Sequence, residues 1–328
     1  MTNPVSRKRI LSGVQPTGKL HLGNYFGAIR QHIALQHEGE CFYFIADYHS
    51  VTSVNDAEQR RQFVHDVALD YLALGLDPQK AIFFRQSDVP EVTELAWILS
   101  CVTNMGLLER AHSYKDKIEK GLEPNVGLFT YPVLMAADIL IYRSHLVPVG
   151  EDQVQHLEMT RDIAGKFNRL YGEIFPLPQQ RLVPHGAKVP GIDGQKMSKS
   201  YGNTIDIFAE GKPLQKTVMS IVTDSTPVEA PKDPDKCNVF ALYSLFANAE
   251  EKTAMAERYR AGGLGYGEVK KALLEKINLQ FAPARERRKQ LAAHPDDVES
   301  ILQVGARRAR GEAQATMDLV RKATGLRT

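Results

Sequence analysis

The sequence predicts an α/β protein built on a mostly parallel sheet, and three observations lead there. Short unbroken apolar runs alternate with stretches of helical period. The runs are apolar on both faces, as strands covered from both sides must be. Past about Ile205 no further strand is convincing and only helical patterns remain. Alternation of this kind implies strands joined by right-handed helical crossovers, followed here by an all-helical C-terminal part.

The elements follow in order. "RILSG", ending at Gly13, reads as the first strand, and "CFYFIAD", Cys41 to Asp47, as the second. Asp56 to Leu74 carries Phe63, Val67, Tyr71 and Leu74 at helical spacing, and Gly75 closes it where a C-cap glycine belongs. "AIFFRQS", Ala81 to Ser87, is the third strand. From about 91 to 143 helical patterns succeed one another, which predicts a helical insertion between two halves of the sheet. "HLVPVG", His145 to Gly150, is a further strand, and "EDQVQHLEMTRDIAGKFN" a helix. The Pro- and Gly-rich "FPLPQQRLVPHGAKVPGIDGQKMSKSYGN" has no period and reads as a linker. These readings place one domain at 1–204, with a loop at 191–203, and a helical domain at 205–328.

A chain of 328 residues supports two domains, and its 43% apolar and 24% charged content is that of a globular protein. No run of about 18 apolar residues occurs, which argues against a membrane span. "MTNPVSRKRIL" has no apolar core of a secretory signal. Cys41, Cys101 and Cys237 are scattered, which favours a reducing cytoplasm over a disulfide scaffold or a cysteine zinc site. The net charge of +2 hides an uneven spread: from Arg285 onward ten Lys/Arg face six acids. Such a tail suits a polyanion such as RNA, and equally a solvated helical surface.

Gly13-x-x-x-x-Gly18-Lys19 is most of a phosphate-cradling P-loop. Leu20 stands where that loop needs a hydroxyl for Mg²⁺, so the chemistry must lie elsewhere and Lys19 is expected to be an ordinary exposed lysine. In parallel sheets ligands bind beyond the carboxyl ends of the strands. Three segments are candidates for that edge: the loop after the first strand, "VGED" after a later one, and the glycine-flanked "KMSKS". Each alone is more often structural or merely solvated. Their joint occurrence in this order is specific.

"HLGN", His21 to Asn24, resembles the HIGH signature of class I aminoacyl-tRNA synthetases, and "KMSKS", Lys196 to Ser200, matches the second signature of that class. With "SGVQPTGKLHLGNY", "YPVLMAADIL" and "LVPVGEDQVQHLEMTRDIA", the sequence is similar to bacterial-type tryptophanyl-tRNA synthetases from about Ile10 to Asn203. The resemblance implies a Rossmann-type doubly wound sheet with a helical insertion, a helical domain on the anticodon side of the tRNA, and a homodimer. It implies ATP, carried with Mg²⁺, as a substrate, together with L-tryptophan and tRNA(Trp). Tryptophan would be converted to an adenylate and then passed to the tRNA, with no protein nucleophile and no metal held by the protein itself.

By the same resemblance His21, Lys117, Lys196 and Lys199 are catalytic. Gln15, Pro16, Thr17, Gly23, Asn24, Gly150, Glu151, Asp152 and Val189 would surround ATP, with Met197, Ser198 and Ser200 of the signature loop. Lysines and hydroxyls suit a departing pyrophosphate, and a turn opening a helix can aim N–H groups at anions. Gly191 and Gly194 would let the loop close and reopen. For Lys117 a solvated helix lysine is the alternative, and for Glu151 and Asp152 acids favoured by a helix dipole.

Tryptophan choice would rest on Asp138, a carboxylate inside an apolar helical run where an unpaired charge is costly. Indole N–H only donates, so a carboxylate acceptor suits it, although a buried structural ion pair would explain Asp138 as well. Tyr131, Met135, Val147, Val149, His49, Leu11 and Gly13 would complete the pocket, with core packing as the alternative for the apolar ones. A tyrosyl-tRNA synthetase has the same layout, but the "MAADI" context of Asp138 argues against it. A non-catalytic paralogue would not need both signatures, and a free-standing nucleotidylyltransferase would not need the long helical tail.

Overall fold

The computed structural model describes residues 8–111, 114–115, 125–150, 153–182 and 189–326. Five parallel strands form one sheet: β1 (Arg9–Val14), β2 (Glu40–Ile45), β3 (Ala81–Arg85), β4 (Leu146–Val149) and β5 (Gln179–Leu182). Their order is β3-β2-β1-β4-β5, so the winding reverses between β1 and β4, as in a doubly wound Rossmann-type sheet. β5 lies inside the stretch read from sequence as a linker. An edge strand buries little, so "QQRL" carries no apolar run to announce it.

The helices are α1 (Ala57–Leu74), α2 (Glu91–Val102), α3 (Val126–Ile141), α4 (Val154–Tyr171), α5 (Gly211–Met219), α6 (Asn238–Ser244), α7 (Ala249–Ala261), α8 (Tyr266–Ala292) and α9 (Pro295–Thr324), with shorter turns between them. α1 begins where Asp56 accepts the Gln59 N–H at 2.7 Å and ends at Gly75, whose φ of +111° only glycine adopts freely. The strand pleat sends Phe42, Phe44, Ile82 and Phe84 into a core shared with α2, α3, α4 and α9. Tyr43 and Phe83, on the opposite face, stack on His32 and on Tyr71 of α1.

The chain divides into two compact units, and not near residue 204 as the sequence suggested. The first is drawn from Met1–Gly18, His32–Val183 and His294–Thr328, the second from Lys19–Gln31 and Pro184–Ala293. Two causes move the boundary. Leu20 to Leu22 bond through their backbones to Ile205 and Ile207 (Leu22 N to Ile205 O 3.0 Å, Ile207 N to Leu20 O 3.2 Å), which draws the "HLGN" turn into the second unit. α9, in turn, belongs with the sheet. A β-carbon on Gly305 would lie 1.8 Å from the Phe83 carbonyl oxygen, so only glycine lets this helix lie on the edge strand β3. Around that seat Arg85 grips Glu299 with two bonds of 2.7 and 2.8 Å, Arg310 meets Glu91 at 2.7 Å, and Arg321 meets Glu94 at 2.8 Å.

These pairs also change the reading of the basic tail. Arg310 and Arg321 are matched by acids of α2, Lys289 sits 2.9 Å from Glu210, and Arg285 is buried, donating to the Ile207 carbonyl at 3.0 Å. The excess charge seen from sequence is not one open patch.

His32 is buried between Ser12 and Tyr71, whose hydroxyls lie 2.9 and 3.2 Å from its ring nitrogens. Burial holds its pKa down to about 4. The unfolded ring titrates near 6.5, so the unfolded chain takes the proton first. This contribution is complete above pH 6.5 and is lost as the pH falls toward 4. From pH 7.5 to 4, the stability gap between wild type and His32→Gln in urea melts should narrow by about 3 kcal/mol. A constant gap would show that the ring charges in place.

Candidate active site

In the first unit a polar cluster forms where β2 and β3 end. Asp47, just past β2, accepts N–H bonds from Tyr48 and Ser87 at 3.0 Å each, and the Ser87 hydroxyl as well. Neighbouring strand ends are thereby tied together. Gln86 is 2% exposed, and its carbonyl oxygen accepts the Tyr48 N–H at 3.1 Å. That bond fixes which way the amide faces, and its nitrogen donates to both oxygens of Asp138, at 2.8 and 2.9 Å. His49 Nε2 lies 2.9 Å from Asp138 Oδ2.

Asp138 is buried on α3 among Ala136, Ala137, Ile139 and Leu140. Burial raises its pKa, while the bonds to His49 and Gln86 pull against that rise. Three contacts leave about one of a carboxylate's roughly four lone-pair sites open, on Oδ1. Tyr131 and Met135 lie seven and three residues before Asp138, on the same helical face. The Tyr131 hydroxyl bonds His156 Nε2 of α4, and its ring stands edge-on to His49 at 6.2 Å. Leu11, Val147 and Val149 are buried in the core cluster against which Met135 packs. At Gly13 a β-carbon would come within 2.5 Å of the Phe44 ring, so the bare backbone there makes room for that side chain.

The structure therefore brings Asp138, His49 and Tyr131 into one contact group and leaves Leu11, Met135, Val147 and Val149 as core residues beside it. Gln15 donates weakly to the His49 carbonyl and the Ser53 hydroxyl, at 3.3 and 3.4 Å. Pro16 is buried, while Thr17 and Gly150 are exposed. Lys117, Glu151 and Asp152 lie outside the described residues.

The second unit carries both class signatures. His21 is 7% exposed, its Nδ1 is buried without a hydrogen-bond partner among the described residues, and its backbone N–H donates to Asn24 Oδ1 at 3.0 Å. Burial, and then the charge of Lys199, hold the His21 ring down to about 4, so near neutrality it is uncharged. The Gly23 N–H points at Met197 Sδ, 3.3 Å away. A β-carbon on Gly23 would lie 2.9 Å from the His21 ring and 3.4 Å from Met197. This glycine thus lets the two signatures pack on each other.

The N–H groups of Leu22 and Asn24 are also committed, to Ile205 and His21 carbonyls. The sequence suggested that N–H groups of this turn face an anion; in the structure those of Leu22, Gly23 and Asn24 have partners within the chain. Met197 is buried and bonds Val189 through its backbone at 2.9 Å, while Lys196, Lys199 and Ser200 are exposed. Ser198 and Ser200 hydroxyls are 2.8 Å apart. Buried Asn203 braces the loop, accepting the Ser198 N–H and donating to Asp193, both at 2.8 Å. Gly191 abuts Asn203, where a β-carbon would lie 2.3 Å from its amide. Glycine is thus required there for close packing, and Gly194, at φ +84°, keeps a turn that glycine favours. Lys19 is 84% exposed, as expected.

Sequence reasoning missed Gln86, Asp47, His156 and Asn203. For Gln86 the signal was present: a polar residue at the carboxyl end of an apolar strand.

The family model for class I tRNA synthetases (W and Y) matches residues 4–282, and the chain belongs to that family. It is 58% identical to the tryptophan–tRNA ligase of Rhodopirellula baltica, over 97% of this chain and all of that one. To the ligase of Fusobacterium nucleatum it is 55% identical, over 97% of this chain and 98% of the relative. The crystal structure of Campylobacter jejuni tryptophanyl-tRNA synthetase complexed with ADP and tryptophan superposes with a TM-score of 0.91 at 52% identity, covering 97% of this chain and 99% of that one. The activity these relatives share with this chain is tryptophan–tRNA ligation, and ATP is its nucleotide substrate.

Proposed function

We propose that the chain activates L-tryptophan with Mg²⁺-ATP and passes it to tRNA(Trp), acting as a cytoplasmic homodimer. The open acceptor site on buried Asp138, held by Gln86 and His49, carries the amino-acid assignment. An indole N–H completes that carboxylate. Phenylalanine would leave it one bond short, a loss that a buried charge makes expensive. The Campylobacter enzyme's tryptophan and ADP support the same pair of ligands here.

In the first step a tryptophan carboxylate oxygen bonds to the α-phosphorus of ATP, and the bond from that phosphorus to the bridging oxygen breaks. Pyrophosphate leaves with the electron pair. The reaction needs no protein nucleophile; it needs positioning and positive charge where pyrophosphate departs. Lys196 and Lys199 supply that charge, with Lys117 as a third cation. His21, uncharged near neutrality, acts as a hydrogen-bonding group through its unpartnered Nδ1 rather than as a cation or general acid. Mg²⁺ enters as part of the ATP substrate, shielding the charge that gathers on the departing pyrophosphate. In the second step the terminal ribose hydroxyl of the tRNA attacks the acyl carbon and AMP leaves.

The free cysteines accord with the cytoplasm, and no helix among the described residues is long and apolar enough to cross a membrane. The purified protein should exchange labelled pyrophosphate into ATP with tryptophan and not with tyrosine. Exchange with tyrosine alone, or with no amino acid, would overturn the reading.

A further inference from the structure

Within the first unit, a groove of about 560 Å³ separates the end of α2 and the turn after it from the outer side of α4. Arg110 stands on one wall, and Arg161, Lys166 and Arg169 on the other, with Asp162 as the one acid. Among the described residues none of these four cations is in an ion pair. Two are held in place by neutral acceptors: Lys166 donates to Asn104 Oδ1 and Arg161 to the Pro178 carbonyl, both at 2.8 Å. Gln155 pins the Arg110 backbone by donating to its carbonyl at 3.1 Å. Arg161 and Lys166 are thereby held by groups that leave their charge uncancelled.

That differs from the cations of α9 in the same unit, where Arg310 and Arg321 are matched by Glu91 and Glu94. Four cations against one acid repel one another, a cost that a bound polyanion removes. Gly106 and Gly165 in the lining present no side chain, which leaves the groove wide. From Arg161 to Arg169 the cations run along about 12 Å of helix. A single phosphate meets one or two such groups; a row of this length suits successive phosphates of a polymer.

We infer that this groove binds the phosphate backbone of the RNA substrate, with Arg161, Lys166 and Arg169 as the principal contacts and Arg110 facing them. The inference rests on the tRNA-ligase reading above and adds to it the surface that holds the tRNA. Contacts of this kind carry affinity without reading bases.

The test compares wild type with an Arg161→Ala, Lys166→Ala, Arg169→Ala triple variant and with Lys166→Glu. tRNA binding is followed by fluorescence anisotropy from about 50 to 200 mM salt, beside tryptophan-dependent pyrophosphate exchange. The triple variant should bind tRNA at least about tenfold more weakly, and the slope of log affinity against log salt should flatten by about 1 per lost contact. Lys166→Glu, which reverses one charge of the row, should also bind tRNA more weakly than wild type. Exchange, which needs no tRNA, should match wild type in both and shows that they fold. Unchanged affinity and slope in both variants would overturn the inference. So would a change in oligomeric state on a sizing column with tRNA affinity intact, which would make the groove a contact between copies. A wild type that fails to exchange with tryptophan defeats the ligase reading instead, so the two failures are distinct.

Discussion

Asp138→Ala should raise the KM for tryptophan in pyrophosphate exchange by roughly 10- to 100-fold, the range for losing a hydrogen bond to a buried charge. The KM for ATP should change little, since among the described residues the hydrogen-bond partners of the Asp138 carboxylate are His49 and Gln86. Discrimination against phenylalanine should fall in parallel, because the penalty for an unpaired carboxylate disappears with it. Gln86→Leu should move the same quantities in the same direction by less, since it loosens the carboxylate without removing it. An unaltered KM for tryptophan in Asp138→Ala would leave that residue as the partner in a structural ion pair, the alternative its apolar setting also allows.

The second large effect lies in the signature loop. Lys199→Ala should slow single-turnover adenylate formation by roughly 10²- to 10³-fold, as loss of a group stabilising developing charge does elsewhere. Tryptophan affinity should stay at the wild-type value. The substitution has a second readout in the ring of His21, whose low pKa owes part of its depression to Lys199. In the variant that ring should titrate higher by NMR while staying below 6.5, because burial remains. An unchanged adenylation rate would remove Lys199 from the mechanism.

Particular residues show what could be read in advance. β1 to β4 and α1 were legible because apolar runs, Asp56 and Gly75 are local signals. β5 was not, because an edge strand needs little apolar surface and "QQRL" offers none beyond Leu182. The two signatures were legible because they are short runs of glycine, histidine and lysine at fixed local spacing. Their membership of one unit was not, since it depends on single backbone bonds from Leu20 and Leu22 to Ile205 and Ile207. Such bridges leave no period in the sequence. The charge of the tail was counted correctly, but its cancellation by Glu91, Glu94 and Glu210 is a tertiary fact. Gln86 lies between these cases: its place at a strand end was visible, its grip on Asp138 was not.

The seat of Gly305 on β3 has a consequence for synthesis. The sheet is encoded before residue 183, yet the helix that covers its edge is encoded only after the whole of the second unit. On the ribosome, β3 waits with a bare edge while more than half of the chain is still to come. The polar and charged residues at its ends, Gln79, Lys80 and Arg85, then guard it against pairing with a neighbouring nascent chain. Truncation before α9 would make that temporary exposure permanent.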